Sequence, residues 1–135
     1  MKELTIEATS ENVDQAVEFV DALLEEYGCG INEQMAIDVA VDELFTNIAN
    51  YAYAPDTGYA TVRVEMLNDP QAVEITFIDS GKPYDPLEKE DPDTTLSLED
   101  RPIGGMGIFI VKKSMDAVKY EYKDGKNILT IQKKI

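Results

Sequence analysis

Two polar residues one helical turn apart, Glu43 and Asn47, are the side chains in this sequence best suited to chemistry. They lie in the segment from Asn32 to Tyr53, whose apolar spacing predicts a helix. Residues at i and i+4 of a helix have Cβ atoms about 5–6 Å apart, so a carboxylate and an amide oxygen can face one ligand. Asn50 extends this polar stripe, although Asn is a mediocre helix former. The competing interpretation is a solvated polar flank without a function.

The other positions of this helix separate into faces at about 100° per residue. Asn32 is the predicted N-cap, and Asp38 and Asp42 are predicted to face solvent. Ala36 and Ala40 lie beside the polar stripe and leave open space where its side chains converge. The predicted apolar face comprises Ile37, Val41, Leu44, Ile48 and Ala52, with Phe45 and Tyr51 at its margins.

Asp79 is a second candidate, because it ends a predicted strand at a position that should be buried. Its parity is that of the inward-pointing residues of the strand, Val73, Ile75 and Phe77. A buried carboxylate is costly unless it is hydrogen-bonded. Two roles meet that requirement: a cap of the following turn at Gly81, or an acceptor for an exocyclic amine such as that of adenine.

The long segment 81–103 is rich in proline and acidic residues, which predicts a lid that is ordered with a ligand and mobile without it. It leads into Gly104, Gly105 and Gly107 at the start of a predicted helix. Glycines let the backbone approach a ligand closely, and a helix N-terminus attracts phosphate through its free N–H groups. Glycines also end loops for steric reasons, so this motif alone is weak. Arg101 is either the nearest cation for a phosphate or the surface partner of a neighbouring acidic residue.

Alternating apolar and polar residues predict five strands, at Lys2–Ala8, Tyr59–Leu67, Ala72–Asp79, Val118–Lys123 and Asn127–Lys133. The last two should form a hairpin across Asp124-Gly125. Two further helices are predicted, one capped by Ser10 and ended by Gly28, the other from Met106 to about Ala117. Each strand has one apolar face, so helices should cover one side of the sheet. We therefore expect an α+β fold, a two-layer α/β sandwich with a mostly antiparallel sheet, in a single domain spanning 1–135.

Composition excludes several functions. The net charge of −15 disfavours nucleic-acid binding, because phosphodiester backbones are also negative. The absence of histidine excludes His-based triads and His-ligated zinc, and the single cysteine, Cys29, excludes an internal disulfide. No apolar run is long enough to span a membrane and the N-terminus lacks a signal peptide, so we expect a cytoplasmic protein without a membrane partner.

The ordered set Glu43-x-x-x-Asn47, Asp79-x-Gly81, a lid, and glycines at a helix start resembles the N, G1 and G2 boxes of the GHKL ATPases. That superfamily includes gyrase B, Hsp90, histidine-kinase ATP domains and MutL. The short length and the run PIGGMGIFIVKKSMD look most like its anti-sigma-factor serine/threonine kinase branch. The resemblance spans essentially the whole chain and implies a Bergerat-type ATP-binding fold. The G1 box here, DSGKPYDP, lacks the second glycine common elsewhere in the superfamily.

The resemblance also implies roles for individual residues. Asn47 would coordinate a Mg²⁺ ion that bridges the phosphates of ATP, and Asp79 would bind the adenine amino group. The glycines before the last helix would pack against the lid base and the phosphates, with Gly81 and Arg101 as further ATP contacts. Glu43 would be the general base that takes the proton from the attacking hydroxyl.

The function that follows is an ATP-dependent serine/threonine kinase acting on a STAS-type (anti-anti-sigma) partner. A nucleotide-gated module that sequesters a regulator without phosphotransfer is the alternative. A detached histidine-kinase ATP domain is a third, and it would need its histidine on another chain. Sigma-factor binding stays open, because the first helix carries no Arg or Lys whereas the kinases of this branch carry basic residues there. A homodimer is also open.

Overall fold

The computed structural model describes residues 1–88 and 106–135, and a five-stranded sheet organises them. The strands are β1 Lys2–Glu7, β2 Tyr59–Leu67, β3 Ala72–Asp79, β4 Ala117–Lys123 and β5 Lys126–Lys134. Their order across the sheet is β1-β2-β3-β5-β4, and every neighbouring pair is antiparallel. β3 and β5 are therefore adjacent although they are far apart in sequence.

The described residues form three α-helices, α1 Val13–Glu26, α2 Ile31–Asn47 and α3 Met106–Ser114. A 3-10 turn at Ser10–Asn12 leads into α1, and α2 continues into a π-helical turn at Ile48–Ala52. None of the helices in the described residues is long and apolar enough to cross a membrane.

The hydrophobic core lies between the helices and one face of the sheet. Alternate residues of β2 and β3 are buried, which is the period-2 pattern of a strand with one covered face. Burying each large apolar side chain stabilises the fold by about 1.5–3 kcal/mol. The largest fully buried side chains are Phe45, Phe77, Leu24, Ile37, Ile75 and Ile131. This arrangement confirms the predicted α+β two-layer fold.

The strands were predicted closely. β2 and β3 have the predicted bounds, β1 and β4 differ from prediction by one residue at one end, and β5 is one residue longer at each end. The hairpin turn is also confirmed, since Asp124 and Gly125 have φ values of 54° and 76°. Two successive positive φ angles are typical of the two-residue turn that matches the twist of antiparallel strands.

Two of the three predicted helix starts were wrong, whereas α3 begins at Met106 as predicted. Gly30, in an extended conformation, is the N-cap residue of α2 in place of the predicted Asn32, and no side chain caps this end. Ser10 lies within the 3-10 turn and does not cap α1. The cause near α1 is visible: the Asn12 side chain donates to the Glu7 carbonyl at 2.8 Å, so the chain turns back on β1 before the α-helix begins.

The buried side of α2 is wider than predicted. Ala40 and Phe45 are fully buried, although they were placed beside the polar stripe and at the margin of the apolar face. Asp38 was predicted to face solvent, but its carboxyl group is within hydrogen-bonding reach of Asp21 on α1. α2 packs against both α1 and α3 in addition to the sheet, so more of its circumference is covered than a single face.

Candidate functional site

A pocket lies between the end of α2, the π-helical turn and the strands β3, β4 and β5. It combines apolar walls with a few polar groups, as small-molecule sites commonly do. Its apolar lining residues are Leu44, Ile48, Ala52, Phe77, Pro86 and Leu129, and its polar lining residues are Asn47, Asp79, Tyr84, Tyr120 and Asn127. Two predicted site residues from distant parts of the chain, Asn47 and Asp79, therefore line one pocket.

Asp79, the last residue of β3, is only 6% exposed, which confirms its predicted inward orientation. Its Oδ1 atom accepts hydrogen bonds from the Gly81 N–H and from Asn127 Nδ2, both at 2.9 Å. Burial raises the pKa of the Asp79 carboxyl group, and these two hydrogen bonds lower it by a smaller amount. The Gly81 bond confirms the predicted turn cap. The amine-acceptor role stays a prediction, with which the geometry is compatible: none of the hydrogen bonds among the described residues involves Oδ2.

Asn127, the second residue of β5, lines the pocket but was not predicted as a site residue from the sequence. It lies opposite Asp79 in the β3–β5 register and is equally buried, at 6% exposed. Its Nδ2 also donates to the Lys82 carbonyl at 2.8 Å, while its Oδ1 accepts from the Tyr84 N–H at 3.0 Å and from the Tyr120 hydroxyl. Strand alternation could have identified Asn127, because it shares the parity of the inward apolar residues of β5.

Glu43 lies one turn before Asn47 on α2, and its carboxyl group packs against Gly107 in the first turn of α3. A Cβ atom at Gly107 would overlap all three atoms of that carboxyl group, so glycine is required for this approach. The structure thus brings together Glu43 and Gly107, which two separate sequence motifs had singled out.

Gly81 packs against the main chain at the end of the π-helical turn. A Cβ atom at this position would overlap the Ala52 carbonyl group, and the adjacent Lys82 N–H donates to the same carbonyl at 2.8 Å. Glycine at this position therefore has a steric reason that is independent of any ligand. Its predicted contact with ATP stays a prediction.

The π-helical turn corrects the prediction of a continuous α-helix to Tyr53. A π turn has i→i+5 hydrogen bonds, so it changes the direction in which the following side chains point. Asn50 is exposed and does not line the pocket, whereas Ile48, predicted for the core face, does. Tyr51 stacks on Tyr84 with ring centroids 5.8 Å apart, which ties this turn to the segment after β3.

Three predicted ATP contacts, Arg101, Gly104 and Gly105, lie outside the described residues, as does the predicted lid from 89 to 103. Their predicted roles stay predictions. The described first part of that segment includes a 3-10 turn at Pro86–Glu88. It is held to the sheet by the bonds of Asn127 to Lys82 and Tyr84.

The donor atoms at the end of α2 fit the predicted Mg²⁺ ion. Asn47 offers a side-chain amide oxygen, and oxygen is the ligand that Mg²⁺ prefers. Among the described residues, no group of three or more His, Cys, Asp or Glu side chains could hold a metal ion. The assignment of Asn47 as a metal ligand stays a prediction.

A sheet covered by helices on one face, with a pocket between a helix end and the strands, is the architecture of an ATP-binding domain of the GHKL class. The sequence comparison supports the same assignment to the GHKL class. The chain belongs to the histidine kinase-like ATPase domain family, whose sequence profile matches residues 6–133.

Several relatives of this chain are named as protein kinases. Serine/threonine-protein kinase BtrW of Bordetella bronchiseptica is 29% identical over 98 residues, which cover 73% of this chain and 68% of that protein. Serine-protein kinase RsbW of Bacillus cereus is 28% identical over 95 residues, which cover 67% of this chain and 58% of that protein. RsbW of Bacillus mycoides is 26% identical over 106 residues, which cover 76% of this chain and 65% of that protein.

These matches confirm the predicted resemblance to the GHKL ATPases and to their serine/threonine kinase branch. The chain spans less than two thirds of the length of the RsbW proteins that it matches.

Proposed function

We propose that this protein is an ATP-dependent serine/threonine kinase of the anti-sigma-factor type, which phosphorylates a STAS-type anti-anti-sigma partner in the cytoplasm and so regulates transcription. The observation that carries this proposal is the contact of the Glu43 carboxyl group with Gly107, one turn from Asn47 in the pocket. Family membership and the kinase names of the relatives support it. A protein that only bound nucleotide would not require a carboxylate at this place.

The pocket suits an adenine base. Apolar side chains such as Leu44, Ile48 and Phe77 offer surfaces against which a planar base can be buried. Asp79 supplies an inward carboxylate that accepts a hydrogen bond from an exocyclic amine. The nucleotide is therefore bound with its base against β3 and its phosphates toward the α2–α3 contact.

Glu43 performs the proton transfer in this proposal. Its carboxylate accepts the proton from a serine or threonine hydroxyl of the partner, which makes that oxygen a better nucleophile. The oxygen forms a bond to the γ-phosphorus while the bond between that phosphorus and the bridging oxygen of ADP breaks. Asn47 would hold a Mg²⁺ ion through its amide oxygen. When bound, Mg²⁺ offsets the negative charge of the phosphates.

The proposal is tested by labelled-ATP transfer to purified STAS-domain proteins of the source organism. Glu43→Gln keeps the size of the side chain but removes its basicity, so transfer should fall by roughly 10²–10⁴-fold. Binding of Mg-ADP, read as a rise in melting temperature, should persist. Asp42→Asn is the matched control, because it makes the same chemical change at the neighbouring, exposed position of α2.

Each alternative result has a definite meaning. A wild-type melting temperature that millimolar Mg-ATP and Mg-ADP leave unchanged would overturn nucleotide binding altogether. Undiminished transfer by Glu43→Gln would place the base elsewhere. A wild type that binds nucleotide yet transfers phosphate to no STAS-domain protein would favour the sequestering module. Sigma-factor binding and a homodimer stay open.

A further inference from the structure

Among the described residues, Asp79 and Asn127 are the two polar side chains buried to 6% exposure, and they are bonded to each other. They lie directly opposite in the antiparallel β3–β5 register. A buried polar side chain is tolerated when its hydrogen bonds are made, and removing one partner leaves the other with the cost of desolvation. Each of the two side chains therefore depends on the other for its burial to be tolerated.

The orientation of the Asn127 amide is determined by its other partners. A main-chain carbonyl, that of Lys82, accepts from Nδ2 at 2.8 Å, and a main-chain N–H, that of Tyr84, donates to Oδ1 at 3.0 Å. Neither main-chain group can exchange its role, so the amide has one satisfied orientation. The Tyr120 hydroxyl donates to the same Oδ1 and reinforces it. In that orientation, the donor side of the amide faces Asp79.

The bond from Asn127 has two effects on Asp79. It joins the Gly81 N–H in occupying Oδ1, so both donors hold one oxygen of the carboxylate in place. It also opposes the effect of burial, because hydrogen bonds to the charged form lower the pKa of Asp79 while desolvation raises it. Without Asn127, the carboxyl group would be less restrained and more readily protonated.

We propose that Asn127, held by Tyr120, is a positioning residue that keeps Asp79 a pure hydrogen-bond acceptor and so makes the pocket select 6-aminopurine over 6-oxopurine nucleotides. The proposal rests on the proposed nucleotide-binding function. An ionised carboxylate accepts from the amine of adenine and repels the carbonyl oxygen of hypoxanthine. A protonated carboxyl group can instead donate to that carbonyl. The selectivity therefore depends on the group that holds the Asp79 carboxyl group in place and opposes its protonation.

The test measures the affinities of Mg-ADP and Mg-IDP (inosine diphosphate) for the wild type and three variants by calorimetry. We expect the wild type to prefer ADP, and Asn127→Ala to lower that preference about tenfold or more, since hydrogen bonds to charged groups contribute about 1.5–3 kcal/mol. The loss should come from weaker ADP binding, with IDP binding little changed. Tyr120→Phe should shift the preference in the same direction by less. Thr130→Ala is the control, because Thr130 of β5 bonds Thr76 and is not part of the pocket lining.

A general loss of pocket shape would weaken both nucleotides equally, so an unchanged ratio in Asn127→Ala would overturn the positioning role. If that variant does not fold, Tyr120→Phe decides, because it removes a single hydroxyl from a partly exposed residue. An unchanged ratio there would again overturn the proposal. A wild type that prefers ADP while both variants keep that preference refutes this inference alone. A wild type that binds neither nucleotide refutes the proposed function as well.

Discussion

The carboxyl group of Glu43 on α2 lies against the main chain of Gly107 on α3, with no room between them for a methyl group. The position of the proposed base is thus set by the backbone of the neighbouring helix as well as by its own. Since α2 and α3 pack together, a side chain at Gly107 would have to displace either the carboxylate or the helix.

Gly107→Ala should therefore move the Glu43 carboxylate and lower phosphotransfer. A misplacement of about 1 Å in a catalytic group can reduce the rate by roughly 10²-fold, and we expect a loss of that order. Labelled-ATP transfer under single-turnover conditions would measure it, with circular dichroism to check the fold.

Gly30→Ala is a matched control for that substitution. A Cβ atom at Gly30 also meets a glutamate, at 2.5 Å from Glu33 Oε2, but this side chain is outside the pocket and its far end can move aside. We expect its transfer rate to equal that of the wild type. A Gly107→Ala variant as active as Gly30→Ala would mean that the Glu43 position does not limit the reaction.

Asn47→Ala should weaken nucleotide binding through loss of a metal ligand. The proposed role predicts that the affinity for ADP falls when Mg²⁺ is present and is unchanged when EDTA removes it. Asn50→Ala is the control, because Asn50 is exposed and outside the pocket lining. An equal loss of ADP affinity with and without Mg²⁺ would show that Asn47 only lines the pocket and does not bind the metal ion.

Gly81→Ala should destabilise the fold independently of ligand. The added methyl group would overlap the Ala52 carbonyl and disturb the 2.8 Å bond that this carbonyl accepts from Lys82. Overpacking of this kind typically lowers the free energy of unfolding by about 1–3 kcal/mol. Urea denaturation without nucleotide would measure the difference, and a midpoint equal to that of Gly30→Ala would contradict it.

The Asp21–Asp38 pair between α1 and α2 predicts a specific dependence of stability on pH. Burial raises the pKa of Asp38 to about 7, assisted by a hydrogen bond with Asp21 and by the charges of Asp21 and Glu25. The ordinary value in an unfolded chain is about 3.9. Between these values the folded state holds a proton that the unfolded state has released. The contribution of this group is therefore greatest at low pH and is lost as the pH rises through about 7.

Asp38→Asn should remove that dependence, because an amide does not titrate and its N–H can donate to Asp21. We expect the melting temperature of the wild type to fall more than that of the variant between pH 5.5 and pH 8. The effect should be modest, since the pair is partly solvated. Asp42→Asn, an exposed change on the same helix, should follow the wild type. Parallel curves for wild type and Asp38→Asn would mean that the two carboxyl groups do not share a proton.

Local pattern was sufficient to predict the strands and the direction of Asp79. Successive side chains of a strand point to opposite faces, so the apolar parity of β3 assigns every other residue to the core, including the carboxylate at its end. The turn at Asp124-Gly125 was equally local, because its positive φ angles suit these two residues. These features depend on neighbours in sequence, which a single sequence displays.

The helix ends and the π-helical turn were predicted less well from the sequence than the strands were. The start of α2 has no side-chain cap, so the usual capping signal at Asn32 was misleading. The π turn at Ile48–Ala52 is packed beside β3 and the segment after it, where the Ala52 carbonyl accepts from Lys82. That contact is not encoded in the periodicity of the helix. Asn50, which lies in this turn, is exposed and is not part of the pocket lining.

The residue types available for chemistry are visible in the sequence alone: a carboxylate and an amide on one helix, an inward aspartate, and glycines at the start of another helix. The tertiary structure decided which of them meet. The contact of Glu43 with Gly107 and the pairing of Asp79 with Asn127 both join segments that are far apart in the chain. Such contacts depend on sheet register and on helix packing, which are set by the burial of the whole apolar core and not by local spacing.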